Sequence, residues 1–88
     1  MNKESIALWM QSKLTEDNCL YQDDVVDYLV KSENESFLNE NIDGNLVINR
    51  IILNEFKKLN KDTVVWVRPD KYWRFRVKED EEGRNARG

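Results

Sequence analysis

The chain has 88 residues, of which 35% are charged and 40% hydrophobic, a balance typical of one small globular domain. It contains no histidine and a single cysteine, Cys19, which excludes an internal disulfide, zinc sites and histidine-dependent nucleophile pairs. The net charge of −3 is divided unevenly, because residues 1–48 carry −7, residues 50–78 carry +6 and residues 79–88 carry −2. A basic stretch inside an acidic chain favours an anionic partner.

The first predicted element is a helix over residues 3–16. Its apolar stripe recurs at helical spacing, with the stem of Lys13 at its edge, and consists of Ile6, Trp9, Met10 and Leu14. Leu8 points away from this stripe and is interpreted either as an isolated exposed side chain, the commoner case, or as part of a dimer contact.

A short extended piece over residues 19–22 and a second helix over residues 24–33 follow. We expect Asp23 or Asp24 to cap this helix, whose buried stripe consists of Val25, Val26, Leu29 and Val30. Together with Asp27, these acids resemble a metal or catalytic carboxylate cluster, but helix capping explains them, since carboxylates favour the positive end of the helix dipole. We therefore predict no enzymatic activity, no cofactor and no metal site.

Residues 32–48 allow two interpretations. Residues 35–40 are compatible with one helical turn, whereas residues 37–39 and 45–48 are compatible with two strands around a turn at Asp43-Gly44. We favour a hairpin-like or irregular segment, because Gly44 supplies the positive φ that such a turn requires.

The third predicted helix, over residues 49–60 with Asn49 as its N-cap, has the clearest division into two faces. Its apolar face consists of Ile48, Ile52, Phe56 and Leu59, with Ile51 beside them. Its opposite face consists of Arg50, Asn54, Lys57, Lys58 and Lys61. The helix is therefore expected to present a basic surface to solvent.

Two strands, over residues 63–68 and 71–78, are predicted to form a hairpin around Pro69-Asp70. With this loop, one face holds Val64 opposite Phe75 and Trp66 opposite Trp73, and the other holds Thr63 opposite Arg76, Val65 opposite Arg74 and Val67 opposite Tyr72. The first face is apolar and the second is basic with interleaved aromatic residues. Residues 79–88 have no apolar period and are predicted to be a disordered charged tail, which leaves residues 1–78 as the single domain.

The order of helix, extended piece, helix, connector, helix and hairpin resembles a winged helix-turn-helix domain over residues 3–78. The expected fold is α+β and winged-helix-like, with three helices followed by a two-stranded antiparallel β-hairpin. The resemblance implies a small DNA-binding regulator whose third helix enters the major groove of double-stranded DNA and whose hairpin reaches the adjoining phosphates. Carried onto this chain, it implies a nucleic-acid-binding surface of Arg50, Asn54, Lys57, Lys58, Lys61, Lys71, Arg74 and Arg76.

Three features depart from the winged-helix pattern: the acidic composition, the presence of Glu55 in the third helix, and the long connector before that helix. The basic face has a second interpretation, as a solvated helix face and a charged hairpin edge that prevents strand pairing. Arg74 and Arg76 are also compatible with bridges to the acidic second helix. The alternative function is therefore a protein–protein interaction module without nucleic-acid binding.

Three short segments look like a family of small uncharacterised proteins from bacteria and mobile genetic elements, namely LYQDD at residues 20–24, GNL at 44–46 and VW at 65–66. This resemblance implies no activity. The chain has no export signal and no apolar run of membrane-spanning length, so we expect a cytoplasmic protein that contacts no membrane. Its expected partner is double-stranded DNA or another protein, and a homodimer is compatible with either.

Overall fold

Three helices and two small sheets alternate along the chain, so the fold is of the mixed α+β class. The computed structural model describes residues 1–80 and 82–86. The elements in chain order are α1 (Lys3–Asp17), β1 (Cys19–Tyr21), α2 (Gln22–Lys31), a 3-10 turn (Glu35–Phe37), β2 (Leu38–Glu40), β3 (Leu46–Ile48), α3 (Arg50–Asn60), β4 (Val64–Val67), β5 (Tyr72–Phe75) and β6 (Asn85–Ala86).

Helix α1 begins at a capping box, in which Asn2 Oδ1 accepts the backbone N–H of Ser5 at 2.8 Å and Ser5 Oγ accepts that of Asn2 at 3.0 Å. The predicted apolar stripe is confirmed, since its fully buried members are Ile6, Met10 and Leu14. Trp9 is half-buried and stacks on Tyr28 of α2, with ring centroids 3.8 Å apart. Leu8, on the opposite side, is exposed.

Helix α2 begins at Gln22, two residues earlier than predicted, and its N-cap residue is Tyr21. Asp23 and Asp24 therefore lie inside the first turn, and the prediction that one of them is the N-cap is wrong. The shift follows from the neighbouring sheet, because the backbone N–H of Gln22 donates to the carbonyl of Lys71 and ties the helix start to the end of the hairpin. Both aspartates still lie near the positive end of the helix dipole.

The segment between α2 and α3 contains both a helical turn and a hairpin, the two alternatives that the sequence allowed. A single 3-10 turn at Glu35–Phe37 leads into the hairpin of β2 and β3. Gly44 has φ +80 at the tip of this hairpin, as predicted. The side-chain oxygen of Asn41 accepts the backbone N–H groups of Asp43 and Asn45, at 2.9 and 3.0 Å, and thereby fixes the tip.

The main sheet has the strand order β1-β5-β4-β6, while β2 and β3 form a separate two-stranded sheet. The register predicted for β4 and β5 is confirmed, since Trp66 lies opposite Trp73 and Val65 lies opposite Arg74. The predicted arrangement of two strands is incomplete, because β1 pairs antiparallel with β5 and β6 pairs parallel with β4. The hairpin is therefore the centre of a sheet.

The core lies between the helices and the inner face of the main sheet, where Phe56 meets Trp73 edge-on with ring centroids 5.2 Å apart. Its fully buried members also include Ile6, Met10, Leu14, Val25, Leu29, Ile52 and Val64. Along α3 the buried line continues from Phe56 to Asn60, one turn further on. Three side chains predicted to be buried lie beside the core and are exposed: Val30, Ile51 and Leu59.

The described part of the C-terminal segment lies against the main sheet, where the sequence predicts a disordered tail. Asp80 contacts Arg74 of β5, and residues 85–86 form β6 beside β4. The same prediction for residues 81, 87 and 88 falls outside the described residues. The domain boundary at residue 78 stays a prediction.

Candidate nucleic-acid interface

The outward face of α3 carries the central part of the predicted binding surface. The helix begins where Asn49 Oδ1 accepts the backbone N–H of Ile51 at 2.9 Å, which confirms the predicted N-cap. Because Phe56 faces the core, residues on the opposite side of the helix point to solvent. Those exposed on this side are Arg50, Asn54, Lys57 and Lys61.

A groove runs between this face of α3 and the main sheet. One depression, of about 360 Å³, is lined by Arg50, Asn54 and Lys57 on the helix and by Trp66, Trp73 and Arg84 on the other side. A second depression, of about 380 Å³, shares Lys57 and Arg84 with the first and is also lined by Lys61, Arg76 and Asp62. We name the two together the basic groove, because their lining contains five cationic side chains and one carboxylate.

Three cations of the basic groove form no ion pair within the part of the chain that the structure describes. Among residues 1–80 and 82–86, no carboxylate forms a salt bridge with Arg50, Lys57 or Lys61. An unpaired cation on an exposed face keeps its charge available for an anionic ligand. These side chains therefore form the part of the predicted surface that can exchange counterions for phosphates.

Lys58 lies on the other flank of α3 and is occupied within the protein. Its Nζ lies 2.7 Å from Glu55 Oε2, and Lys3 of α1 approaches the same carboxylate at 4.0 Å. The hydrogen bond raises the pKa of Lys58 and lowers the pKa of Glu55. The arrangement separates Lys58 from the basic groove, although the sequence placed it on the same face as Lys57.

Arg74 projects from the outer face of β5, away from the helices, and its charge is also used internally. Its two terminal nitrogens each donate to one oxygen of Asp80 at 2.9 Å. Val65, its cross-strand partner, and Val67 are fully buried although they share this outer face. Asp80, in the segment after β5, therefore lies on the face that the sequence predicted to be basic.

Arg76 and Lys71 lie at opposite ends of β5. Arg76 donates to the carbonyl of Gly83 and lines the basic groove with Lys57. Lys71 is exposed in the turn before β5, where it has φ 52, and its carbonyl accepts the backbone N–H of Gln22, which lines the first depression. The structure thus brings Arg76 to the α3 face and leaves Lys71 at the end of the hairpin.

Arg84 belongs to the basic groove but lies outside the predicted binding surface. Its guanidinium donates to the side-chain oxygen of Asn60 at 2.6 Å and lies 5.8 Å from the centre of the Phe56 ring. Burial, and then the nearby charge of Arg76, lower its pKa. In the sequence it follows a run of acids without any apolar period, so no pattern distinguishes it from a solvated residue.

Three further observations concern metal ligands, membrane-spanning helices and the cysteine. Among the described residues, no group of three or more potential ligands is placed to hold a metal ion. In the same part of the chain, no helix has the length and apolar character needed to cross a bilayer. Cys19 is half-buried at the start of β1.

Comparison with known proteins identifies the family and leaves the activity open. No curated protein and no solved structure matches the chain. The matching family profile covers residues 2–75, from the N-cap of α1 to the end of β5, so Arg76, Asp80 and Arg84 lie beyond the match. The chain belongs to a family of unknown function, DUF6953.

Proposed function

We propose that this protein binds double-stranded DNA through the basic groove, in the manner of a winged-helix domain. The observation that carries the proposal is the group of Arg50, Lys57 and Lys61, which are exposed on one side of α3 and form no salt bridge with a described carboxylate. Arg76 and Arg84 add positive charge to the same groove, although both side chains also make internal hydrogen bonds.

The order of elements supports the winged-helix interpretation. Three helices precede the β4–β5 hairpin, and β1, which lies between the first two helices, pairs with β5 to give the order β1-β5-β4. In this interpretation α3 is the recognition helix and the β4–β5 turn, with Lys71, is the wing. The β2–β3 hairpin is an insertion before the recognition helix and accounts for the long connector.

The side chains on α3 have the chemistry that reading a major groove requires. Arginine can donate two hydrogen bonds to guanine, and Asn54 can pair in the same way with adenine. At about 1.5 Å per residue, Arg50 and Lys61 are roughly 16 Å apart along the helix axis, which corresponds to about five base-pair steps. Lys57 and Lys61 are suited to the phosphates on either side.

The acidic remainder of the protein favours one orientation on DNA. Helix α2 carries Asp23, Asp24 and Asp27, and among the described residues only Asp27 forms a salt bridge, with Lys31 at 2.9 Å. Like charges repel phosphates, so the duplex is steered towards the basic groove and away from α2. A net charge of −3 is compatible with DNA binding because the positive charge is concentrated in the basic groove and most of the negative charge lies elsewhere.

The test is the salt dependence of binding to a short fluorescent duplex. If about four phosphates are contacted, raising the salt from about 50 to about 200 mM should weaken binding about 100-fold. Because one domain contacts a short stretch of DNA, we expect two copies on a palindromic duplex, which sedimentation measures directly. The absence of any complex at the lower salt concentration would exclude this function.

The second candidate function is protein interaction, and the β2–β3 hairpin favours it. Ile42 at the tip is 100% exposed and Leu46 is 42% exposed, while Asn41 holds the turn in one conformation. A rigid apolar tip of this kind is suited to a pocket on a partner protein. Ile42→Ser should abolish capture of such a partner and leave DNA binding unchanged. If the variant captures the partner as well as the wild-type chain does, the hairpin is not the binding site.

A further inference from the structure

We propose that the edge of β4 and the buried Asn60 form a binding site for an extended protein segment that carries an arginine. In this chain the site is filled by its own Arg84 and by β6. The site has two parts, a socket for the guanidinium and a strand edge for the backbone. Its occupant in function is the segment of a partner protein, which takes the place of residues 82–86.

The socket surrounds the guanidinium of Arg84 with three oxygens and an aromatic ring. Nη2 donates to Asn60 Oδ1 at 2.6 Å, and Nη1 lies 3.2 Å from the carbonyl of Asn60 and 3.3 Å from that of Val64. The ring of Phe56 lies 5.8 Å from the guanidinium carbon. A planar donor fork fits several acceptors at once, whereas the compact ammonium of lysine does not, so the socket selects arginine.

The orientation of Asn60 is fixed from inside the protein. Asn60 is 2% exposed, and its Nδ2 donates to Gln11 Oε1 of α1 at 2.7 Å. With its amide nitrogen held by α1, its side-chain oxygen can only face the socket. A buried acceptor in this position requires a donor, and the guanidinium supplies it.

The strand edge of β4 holds the backbone next to the arginine. The N–H of Trp66 donates to the carbonyl of Arg84, and Asn85 lies opposite Trp66 in the parallel pairing of β6 with β4. Addition of a strand to an exposed edge is a general mode of peptide recognition, in which main-chain hydrogen bonds give affinity and side-chain pockets give specificity. The socket next to the edge supplies the specificity here.

The boundary of the family match separates the site from its present occupant. Gln11, Phe56, Asn60, Val64 and Trp66 all lie within residues 2–75, whereas Arg84 and Asn85 lie beyond them. The residues of the site therefore lie within the matched region, and the segment that fills it lies outside that region. Displacement needs only residues 82–86 to leave, because Asp80 is held separately by Arg74.

The surroundings of the socket define the partner further. Arg76 is close enough to lower the pKa of Arg84, and Lys57 and Lys61 line the same depression. A strongly basic segment would be repelled, so the partner carries one arginine among neutral or acidic residues, as Glu82-Gly83-Arg84-Asn85 does. It must also compete with a tethered segment, whose effective concentration is in the millimolar range.

The experiment uses the full chain with Arg84→Ala, labelled with ¹⁵N, and a capped synthetic peptide of residues 82–86, which contains one arginine. We expect saturable NMR shifts of the β4 backbone amides and of the Asn60 side-chain amide, with affinity about tenfold higher than for the wild-type chain, whose socket is filled. The same peptide with lysine in place of its arginine should bind about tenfold more weakly.

A second variant, Arg84→Lys, keeps the length and charge of the segment and is titrated in parallel. It should show the same order of affinities as Arg84→Ala. The proposal is overturned if neither variant shows saturable shifts, or if the arginine and lysine peptides bind equally.

Discussion

The carboxylate of Asp80 accepts hydrogen bonds from both terminal nitrogens of Arg74, each at 2.9 Å. It also accepts one from the backbone N–H of Val77 at 2.8 Å. The two side chains are shielded from solvent, with exposed fractions of 23% for Arg74 and 9% for Asp80. An arginine that the sequence assigns to phosphate binding is therefore neutralised inside the molecule. The same contact holds Asp80 on the outer face of the sheet, beside β5.

The contact between Asp80 and Arg74 should depend on pH in the acid range. The hydrogen bonds from Arg74 and then from Val77 lower the pKa of Asp80 from 3.8 to about 2. A lowered pKa means that the contact stabilises the folded chain fully above about pH 4 and that this contribution is lost as the pH falls through 2. NMR titration of the Asp80 side-chain carboxyl carbon should give a midpoint near 2.

The control for this titration is Asp80→Asn, followed through the Arg74 Nε–H resonance. In the wild-type chain this resonance should shift with the same midpoint as the Asp80 carboxyl. In the variant it should be independent of pH over that range. A carboxyl that titrates near its ordinary value would show that the pair is not formed in solution.

The sequence predicts the centre of the fold well because local chemistry determines it. Pro69-Asp70 sets the loop of the hairpin, and side-chain alternation then places Trp66 opposite Trp73. The outer face of the same hairpin could not be predicted, since the partner of Arg74 there is Asp80, which lies in a segment without an apolar period. Hydrogen bonds hold that segment, among them the contacts of Arg74 with Asp80 and of Arg84 with Asn60 and the pairing of β6 with β4.

The residues predicted to form one binding surface do not all lie together in the structure. A helical projection could not show this, because it does not include the side-chain contacts between α3 and the rest of the protein. A helical projection assigns Lys57 and Lys58 to the same basic side, yet Lys58 pairs with Glu55, a carboxylate that Lys3 of α1 also approaches. Arg84 was missed because its role depends on Asn60, a buried polar residue 24 positions earlier. The sequence offers one signal for this contact: Asn60 is a polar residue one helical turn after Phe56, which itself lies one turn after Ile52. A polar side chain in line with a buried face requires a hydrogen-bonding partner.

Asn60→Ala should destabilise the protein by about 1–3 kcal/mol, because it removes the acceptor of Arg84 and leaves Gln11 without its donor. Urea unfolding followed by tryptophan fluorescence measures the change. The matched control is Asn54→Ala on the same helix, which is exposed and should change stability by less than about 0.5 kcal/mol. Equal effects of the two variants would show that the network around Asn60 contributes nothing.

Gly44→Ala should destabilise the β2–β3 hairpin through the backbone alone. Gly44 has φ +80, and a Cβ added there meets nothing within 4 Å, so steric contact with neighbours plays no part. The strain of a left-handed conformation costs about 1–2 kcal/mol for alanine. Gly44→Asn is the control and should cost less, since asparagine tolerates this region, and thermal unfolding of the three proteins should place asparagine between glycine and alanine.

Lys57→Gln and Lys58→Gln each remove one positive charge from adjacent positions of α3. Comparing the two variants shows whether DNA binding depends on charge inside the basic groove or on charge anywhere along the helix. Lys57 lines the groove and forms no salt bridge with a described carboxylate, whereas Lys58 is held by Glu55 at 2.7 Å. Lys57→Gln should weaken duplex binding several-fold and reduce the slope of log affinity against log salt by about 1. Lys58→Gln should change affinity by less than about twofold, because its charge is already paired. Fluorescence anisotropy at several salt concentrations measures both, and equal losses would mean that DNA binds by general charge attraction and not in the groove.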